Sequence, residues 1–262
     1  MTLKSSKVVA LEARLAKCSN VITLGVRPNW NDYPADQRRM IMEAGRIYYP
    51  SRFYAGLFHT LGLKIFPSVD NYRYAQDKIA QTALFQLAGI DHPFTRVFYG
   101  KRQQESIPDH FELPLVAKVA RGSAMGRGVF LIRNLRQLRR YCKGRHVAYI
   151  QEYLPVDRDL RVVIIGRRVV LAYWRIAAPG EFRSNVARGA RISFDDVPAR
   201  ALELALEVAG TCRWNDVGID LCCYRDRFYV LEANMKYGRQ GFIQAGLDYH
   251  ELMEELIRDG TI

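Results

Sequence analysis

The sequence predicts an α+β protein, and three observations carry that prediction. Strand-like runs come in adjacent pairs: "LPLVAKVA" with "GVFLIR", "LRVVIIG" with "RVVLAYW", and "VGIDLCCY" with "FYVLEAN". Stretches of helical period separate these pairs instead of alternating one for one with single strands, which argues against a doubly wound parallel sheet. With 262 residues, 49% hydrophobic and 25% charged, the chain can bury a core in one large or two to three small domains.

Taken in order, "VITLGV" at 21–26 reads as a buried strand leading into a loop with Pro28, Asn29 and Asp32. It is the one clear strand before residue 70. Helical periodicity follows to about residue 63, with Tyr48, Tyr49, Phe53, Tyr54 and Phe58 expected in the core. "YAQDKIAQTALFQLAGI" has the spacing of an amphipathic helix and stops at Gly89. After the first strand pair comes a basic helix, "RNLRQLRRYCKGR", then "AYIQEYL" and the second pair. "PARALELALEVAG" is a helix with Pro198 in its first turn and a stop at Gly210. The third pair and a closing helix, "YHELMEELIRDG", complete the chain.

Composition excludes several classes. No apolar run approaches the roughly 18 residues of a membrane span. The N-terminal segment has only a short apolar patch before Glu12, which predicts a cytoplasmic protein without a signal peptide. Five cysteines without CxxC spacing read as packed thiols, and the five histidines form no HxxH or HxxxH pair that would suggest zinc. The net charge of +12 is uneven: ten basic against five acidic residues in 1–70, fourteen against five in 71–147, and fifteen against seventeen in 148–262. Arg133, Arg136, Arg139 or Arg140, and Lys143 recur at helical spacing. They form either a solvated helix face or a surface for an acidic or polyanionic partner.

The last strand pair raises a chemical question, because "FYVLEAN" ends in a carboxylate and an amide two positions apart. Residues i and i+2 share a strand face, so Glu232 and Asn234 present their oxygens together. A three-residue turn, Arg225 to Arg227, places Asp220 directly opposite Glu232, whereas a two-residue turn slips the pairing by one. Two carboxylates roughly 5 Å apart repel by about 3 kcal/mol at an effective dielectric near 20. Such a pair calls for a shared proton or a cation, and two carboxylates with an amide oxygen suit magnesium carried with phosphates. The plainer reading is a pair of solvated strand ends.

Upstream, the loop in "AKVARGSAMGRGVFLI" holds Gly122, Ser123, Gly126 and Gly128 just after Lys118. Glycines let backbone N–H groups close around phosphate oxygens, although a plain hairpin turn uses glycine too. No P-loop pattern is present. Lys78, early in its helix, is a second candidate cation, and "IQEYLP" offers a backbone edge for adenine. Asp159 and Arg161 are again an i, i+2 pair on one strand face.

In this order, "QDKIAQTALFQLAGIDHPFT", "LPLVAKVARGSAMGRGVFLI", "IQEYLPVDRDLRVVIIGRRVVLAYWRIAAPGEFRSNVARGA" and "VGIDLCCYRDRFYVLEANMKYG" resemble the ATP-grasp fold. They are most similar to its ribosomal-protein glutamate ligase (RimK-like) branch, over about residues 71–262. The resemblance implies an α+β fold in which nucleotide is held between two subdomains, 71–147 and 148–262, after a short N-terminal α/β region at 1–70. By resemblance, Lys78 and Lys118 hold nucleotide phosphates, with the glycine loop. Glu152, Tyr153 and Leu154 form the adenine hinge, and Asp159, with Arg161 beside it, contacts the nucleotide. Asp220, Glu232 and Asn234 match the magnesium ligands, with manganese as an alternative ion. Arg175, Arg183 and Asn185 match positions near the transferred phosphate and the acceptor carboxylate. Two departures stand out: the region before residue 70 is shorter than usual, and Ala190 replaces an expected glycine.

The implied activity is ATP-dependent carboxylate–amine ligation through an acyl phosphate. The implied partners are ATP, a carboxylate and an amine substrate, an acidic peptide among the candidates, with no nucleic acid or membrane; self-association stays open. Two alternatives remain: an ATP-grasp phosphotransferase acting on a hydroxyl, and a basic nucleic-acid-binding protein with a vestigial ATP site.

Overall fold

Three β-sheets organise the chain, each written in a different sequence signal. The structure, a computed structural model, describes residues 8–122, 128–181 and 189–262. The first sheet contains β1 (Val8–Ala10), β2 (Val21–Thr23), β3 (Ile47–Tyr48) and β4 (Ile65–Phe66), all parallel in the order β2-β1-β3-β4. Helices α1 (Ala35–Glu43) and α2 (Ser51–Thr60) form the crossovers into β3 and β4. The expectation of one strand before residue 70 is thus corrected to four. Strands of two or three residues are too short to display a period-two pattern. Tyr48, Tyr49, Tyr54 and Phe58 are buried as expected, but Phe53 is exposed, its ring in an edge contact with Tyr54.

After α3 (Val69–Tyr74) and α4 (Lys78–Ala88), the second sheet is antiparallel. It contains β5 (Thr95–Tyr99), β6 (Leu115–Lys118), β7 (Val129–Ile132) and β8 (Val147–Glu152), in the order β5-β8-β6-β7. It extends to Glu152, past the boundary at 147 that the sequence suggests, because β8 pairs with both β5 and β6. After the short α5 (Gly100–Glu105) and β6 and β7, the basic helix α6 (Leu135–Cys142) is capped by Asn134, whose side chain accepts from the Gln137 N–H. It turns Leu138 and Tyr141 into the core and leaves Arg136, Arg139 and Arg140 exposed. α4 ends as expected at Gly89, whose left-handed φ of 67° a residue with a Cβ resists.

The third sheet carries the rest: β9 (Arg158–Ile165), β10 (Arg168–Ile176), β11 (Arg191–Ser193), β12 (Asp216–Tyr224) and β13 (Arg227–Asn234), antiparallel in the order β11-β10-β9-β12-β13. Strand alternation sorts its residues. Leu160, Val162, Ile164, Val217, Ile219 and Leu221 face α7 (Ala199–Thr211) and Phe85 of α4. Pro198 is the residue just before α7 and not part of its first turn, and the helix runs one residue past Gly210. On the other face, Val163, Ile165 and Tyr173 pack with Tyr48 and Phe66 of the first sheet. Helices α8 (Gln240–Gln244) and α9 (Tyr249–Arg258) contribute Phe242, Tyr249 and Met253 to that layer. Asp159, Arg161 and Asp220 lie on this second face. No helix among the described residues is long and apolar enough to cross a membrane.

Candidate active site

The β12–β13 hairpin closes differently from the expected three-residue turn. Arg225 and Asp226 both have positive φ, 49° and 59°, and form a two-residue turn in which Tyr224 pairs with Arg227. That turn alone would displace Glu232 from Asp220. A bulge restores the pairing: Leu221 faces Val230, the register shifts across Leu231, and Asp220 then faces Glu232. On its other side Asp220 pairs with Arg161 of β9, which in turn pairs with Tyr173 of β10. Glu232, Asp220 and Arg161 therefore form a row across three strands. Gly218, opposite Asn234, must be glycine here, since a Cβ would lie 2.6 Å from the Tyr237 Cβ and 2.9 Å from the Arg161 Cδ.

The side chains close into one network. Asn234 donates its amide to Asp220 Oδ2 at 3.1 Å and to Glu232 Oε1 at 3.0 Å. Arg161 donates from Nε to Asp220 Oδ1, from Nη2 to Asp220 Oδ2 at 2.9 Å, and from Nη1 to the Tyr237 carbonyl at 3.1 Å. Arg175 bridges Asp159, at 2.6 Å, and Asp220, at 2.9 Å. Lys78 Nζ stands 3.1 Å from Glu232 Oε2. Neighbouring carboxylates are thus held together by the protein's own cations, which answers the repulsion foreseen from sequence. Arg161 is buried with its donors committed, so in this arrangement it orients Asp220. Burial raises the pKa of Asp159 despite Arg175 beside it.

Helix α4 fixes Lys78 against β13. Gln81 donates to the Ala233 carbonyl at 2.9 Å and accepts from the Ala233 N–H at 3.0 Å, gripping β13 between Glu232 and Asn234. Sequence reading missed Gln81; its signal was a polar residue three positions after Lys78 on an apolar helix. The Thr82 and Tyr149 hydroxyls, 2.7 Å apart, tie α4 to β8, whose Tyr149 pairs with Lys118. Lys118, at the end of β6, is 8% exposed. Burial lowers its pKa to about 8, with Glu232 opposing the shift and Lys78 adding to it. For Glu232 burial alone would raise the carboxyl, but Lys78 and Lys118 bring it down to about 2.

The glycine loop starts beside α4. Gly122 donates to the Gln76 carbonyl at 3.3 Å, Arg121 meets Asp77 at 2.9 Å, and Val119 donates to the Gly128 carbonyl at 2.7 Å. Gly122 and Gly128 have φ of 68° and 77°. Ser123, Gly126, Arg183 and Asn185 lie outside the described residues. At the expected hinge, Glu152 ends β8 with its carboxylate accepting from the Phe94 N–H at 2.6 Å, while Tyr153 and Leu154 follow outside any sheet.

Asp220, Glu232 and Asn234 fit a hard cation: two carboxylates and an amide that rotates to present oxygen, on adjacent strands. The described residues gather no cluster of three His, Cys, Asp or Glu that could hold a metal ion. Around them four cations, Lys78, Lys118, Arg161 and Arg175, face three carboxylates, a balance suited to a metal arriving with a polyphosphate.

The pattern of the RimK-like ATP-grasp domain matches residues 75–257. The chain belongs to the RimK-like ATP-grasp family. Relatives include the ribosomal protein bS6–L-glutamate ligase of Escherichia fergusonii and a probable alpha-L-glutamate ligase of Citrobacter koseri. Each is 30% identical over 175 residues, covering 64% of this chain and 58% of the relative. The match therefore spans less than two thirds of those relatives' length. Among solved structures, a RimK domain ATP-grasp protein from Sphaerobacter thermophilus aligns with a TM-score of 0.69 at 16% identity, over 95% of this chain and 98% of that one. The ATP-grasp ligase PsnB, complexed with precursor peptide PsnA2 and AMPPNP, aligns with a TM-score of 0.70 at 15% identity, over 99% of each chain. These likenesses establish the ATP-grasp fold for the RimK-like chain.

If Lys118 contacts phosphate, nucleotide affinity is expected to fall as pH rises through about 8, because the ammonium loses its proton and with it the attraction to phosphate. Lys118→Arg, whose guanidinium stays charged, should flatten that profile. Calorimetric titration with ADP from about pH 7 to about pH 9 reads the change. Equal pH profiles for the two proteins would remove Lys118 from the phosphate site.

Proposed function

We propose that this chain is an ATP-dependent carboxylate–amine ligase. The observation that carries the reading is the convergence of Lys78 and Lys118 on Glu232, within the row that joins Glu232, Asp220 and Arg161. Lys78, Lys118 and the N–H groups of the glycine loop hold the triphosphate, and the backbone after Glu152 receives the adenine. Asp220, Glu232 and Asn234 hold magnesium, which when bound offsets negative charge on the phosphate oxygens.

A substrate carboxylate oxygen attacks the terminal phosphorus and ADP leaves, giving an acyl phosphate. An amine nitrogen then attacks the acyl carbon, phosphate departs, and the nitrogen gives up a proton as the amide forms. In this reading Arg175, now paired with Asp159 and Asp220, offsets charge on the transferred group, and Arg161 keeps Asp220 oriented. This is electrostatic preorganisation, with no protein nucleophile. Within this reading, the naming of relatives as glutamate ligases favours an amino acid such as glutamate as the added group and an acidic peptide or small carboxylate as the acceptor.

The test is ADP release by the full chain with ATP and magnesium against a panel of amino acids and acidic peptides, followed by product masses. Stimulated ADP release, an amide product and a hydroxamate on adding hydroxylamine are expected. Phosphate appearing on a substrate hydroxyl, without hydroxamate, would make the protein a phosphotransferase instead.

A further inference from the structure

β13 is the outer strand of the third sheet, so alternate backbone N–H and C=O groups along it point away from β12. On that side Val230 donates to the Asp91 carbonyl at 2.8 Å, and Ala233 is met by the side chain of Gln81 from α4. A carboxamide carries an acceptor oxygen and two N–H donors, so it can stand in for the backbone of a neighbouring strand. Gln81, 3% exposed, uses both kinds of group. It accepts from the Ala233 N–H at 3.0 Å and donates to the Ala233 and Tyr74 carbonyls, each at 2.9 Å.

The residue gripped is the one between Glu232 and Asn234. Strand alternation turns the Ala233 side chain into the core, and its two neighbours face the opposite way. Gln81 lies three residues after Lys78 and so shares its side of α4, and the Lys78 ammonium is 3.1 Å from Glu232. The same helix is fastened separately to the second sheet. The Thr82 hydroxyl is 2.7 Å from that of Tyr149 on β8, and the Lys78 N–H donates to the Ala120 carbonyl at 3.0 Å, two residues beyond Lys118. Consecutive buried residues of α4 thus hold different sheets: Gln81 the strand of Glu232 and Asn234, Thr82 the sheet of Lys118.

We propose that Gln81 is a positioning residue for the divalent ion: by gripping Ala233 it holds the Glu232 and Asn234 oxygens in register with Lys78. It acts through those two side chains and not on the reacting atoms. The role rests on the reading of Asp220, Glu232 and Asn234 as the ion's ligands. Without the grip, the edge strand loses its fastening to α4 at the point where the ligands stand. Lys78 and Lys118 stay together, because Thr82 and the Ala120 carbonyl still hold α4 to the second sheet. Nucleotide binding without metal is therefore separable from the part of binding that the metal adds.

The test is calorimetry of ADP binding to the full chain with and without magnesium, the ratio of the two affinities measuring what the metal adds. Gln81→Met, of similar length but without the amide, is expected to lower that ratio about tenfold, the scale on which losing an outer partner of a metal ligand acts. ADP affinity without magnesium should stay nearly unchanged. Thr82→Val removes a comparable buried polar group from the same helix, and is expected to lower the melting temperature and keep the ratio. A merely structural Gln81 would give that second pattern, so a ratio kept in Gln81→Met overturns the positioning role. Gln81→Glu, which still accepts from the Ala233 N–H but has lost both amide donors, takes its place if Gln81→Met does not melt cooperatively, with the same fall expected. Glu232→Gln separates the two claims. A ratio that collapses in Glu232→Gln and not in the Gln81 variant overturns the role and keeps the metal site. A ratio unchanged in Glu232→Gln removes the metal site itself, and the role with it.

Discussion

Glu232→Gln is expected to lower magnesium-dependent ATP turnover by at least about 100-fold, the upper end of what loss of a mere outer partner of a metal ligand costs. The amide keeps the shape of the side chain and one oxygen, so the fold stays intact. What it removes is the negative charge that faces Lys78 and Lys118 and completes the pair with Asp220. The same substitution has a signature without nucleotide. Because the folded-state pKa of Glu232 is held near 2, below its ordinary value of 4.5, its contribution to stability is present above about pH 4.5 and fades as pH falls toward 2. Acid titration of stability should therefore be shallower for Glu232→Gln in that window. Near-normal turnover by the variant would place Glu232 outside the metal site.

Asp216→Ala carries the largest expected loss of stability. Asp216 is 1% exposed, and its carboxylate satisfies two tyrosine hydroxyls and opposes Arg14. Burial pushes its carboxyl up, but Arg14 is held protonated well above its ordinary range, and two hydroxyl donors aimed at the oxygens favour the ionised pair. Removing one partner leaves a buried guanidinium uncompensated, which costs about 3–5 kcal/mol. For a chain of this size that lowers the melting temperature by on the order of 10 °C. Asp216→Asn should cost less, because the amide oxygen still accepts from Tyr49 or Tyr237. Thermal melts that rank the two variants equally would show that the lost charge opposite Arg14, and not the acceptor for the tyrosine hydroxyls, sets the cost. Tyr237 also accepts from Arg161 through its carbonyl, so the same loss should disturb the support of Asp220.

The juxtaposition of Asp220, Glu232 and Asn234 was legible because its information is local. Glu232 and Asn234 are two positions apart, and Asp220 lies one hairpin away. The turn was misread because Arg225-Asp226 is not the Asn-Gly signal of a two-residue hairpin, and the bulge at Leu231 compensates by one residue, so two errors of register cancel at Asp220. The first sheet was not legible because β3 and β4 are two residues each, held by pairing and not by pattern. Nor could spacing reveal Arg14 with Asp216, or Gln81 with Ala233, since their partners meet only after the chain has folded. The second sheet's extension through β8 was hidden for the same reason: strand pairing, unlike strand propensity, has no local signal.

We propose that Asp220, Glu232 and Asn234 jointly hold a divalent ion at the phosphate end of the nucleotide. The most direct measurement is a crystal structure of the full chain with a non-hydrolysable ATP analogue and manganese, read by anomalous scattering. A peak bounded by those three side chains and the phosphates, with Lys78 and Lys118 on phosphate oxygens, is the predicted result. Ordered nucleotide with the peak elsewhere, or with Asp220 and Glu232 still occupied only by arginine and lysine, would contradict it.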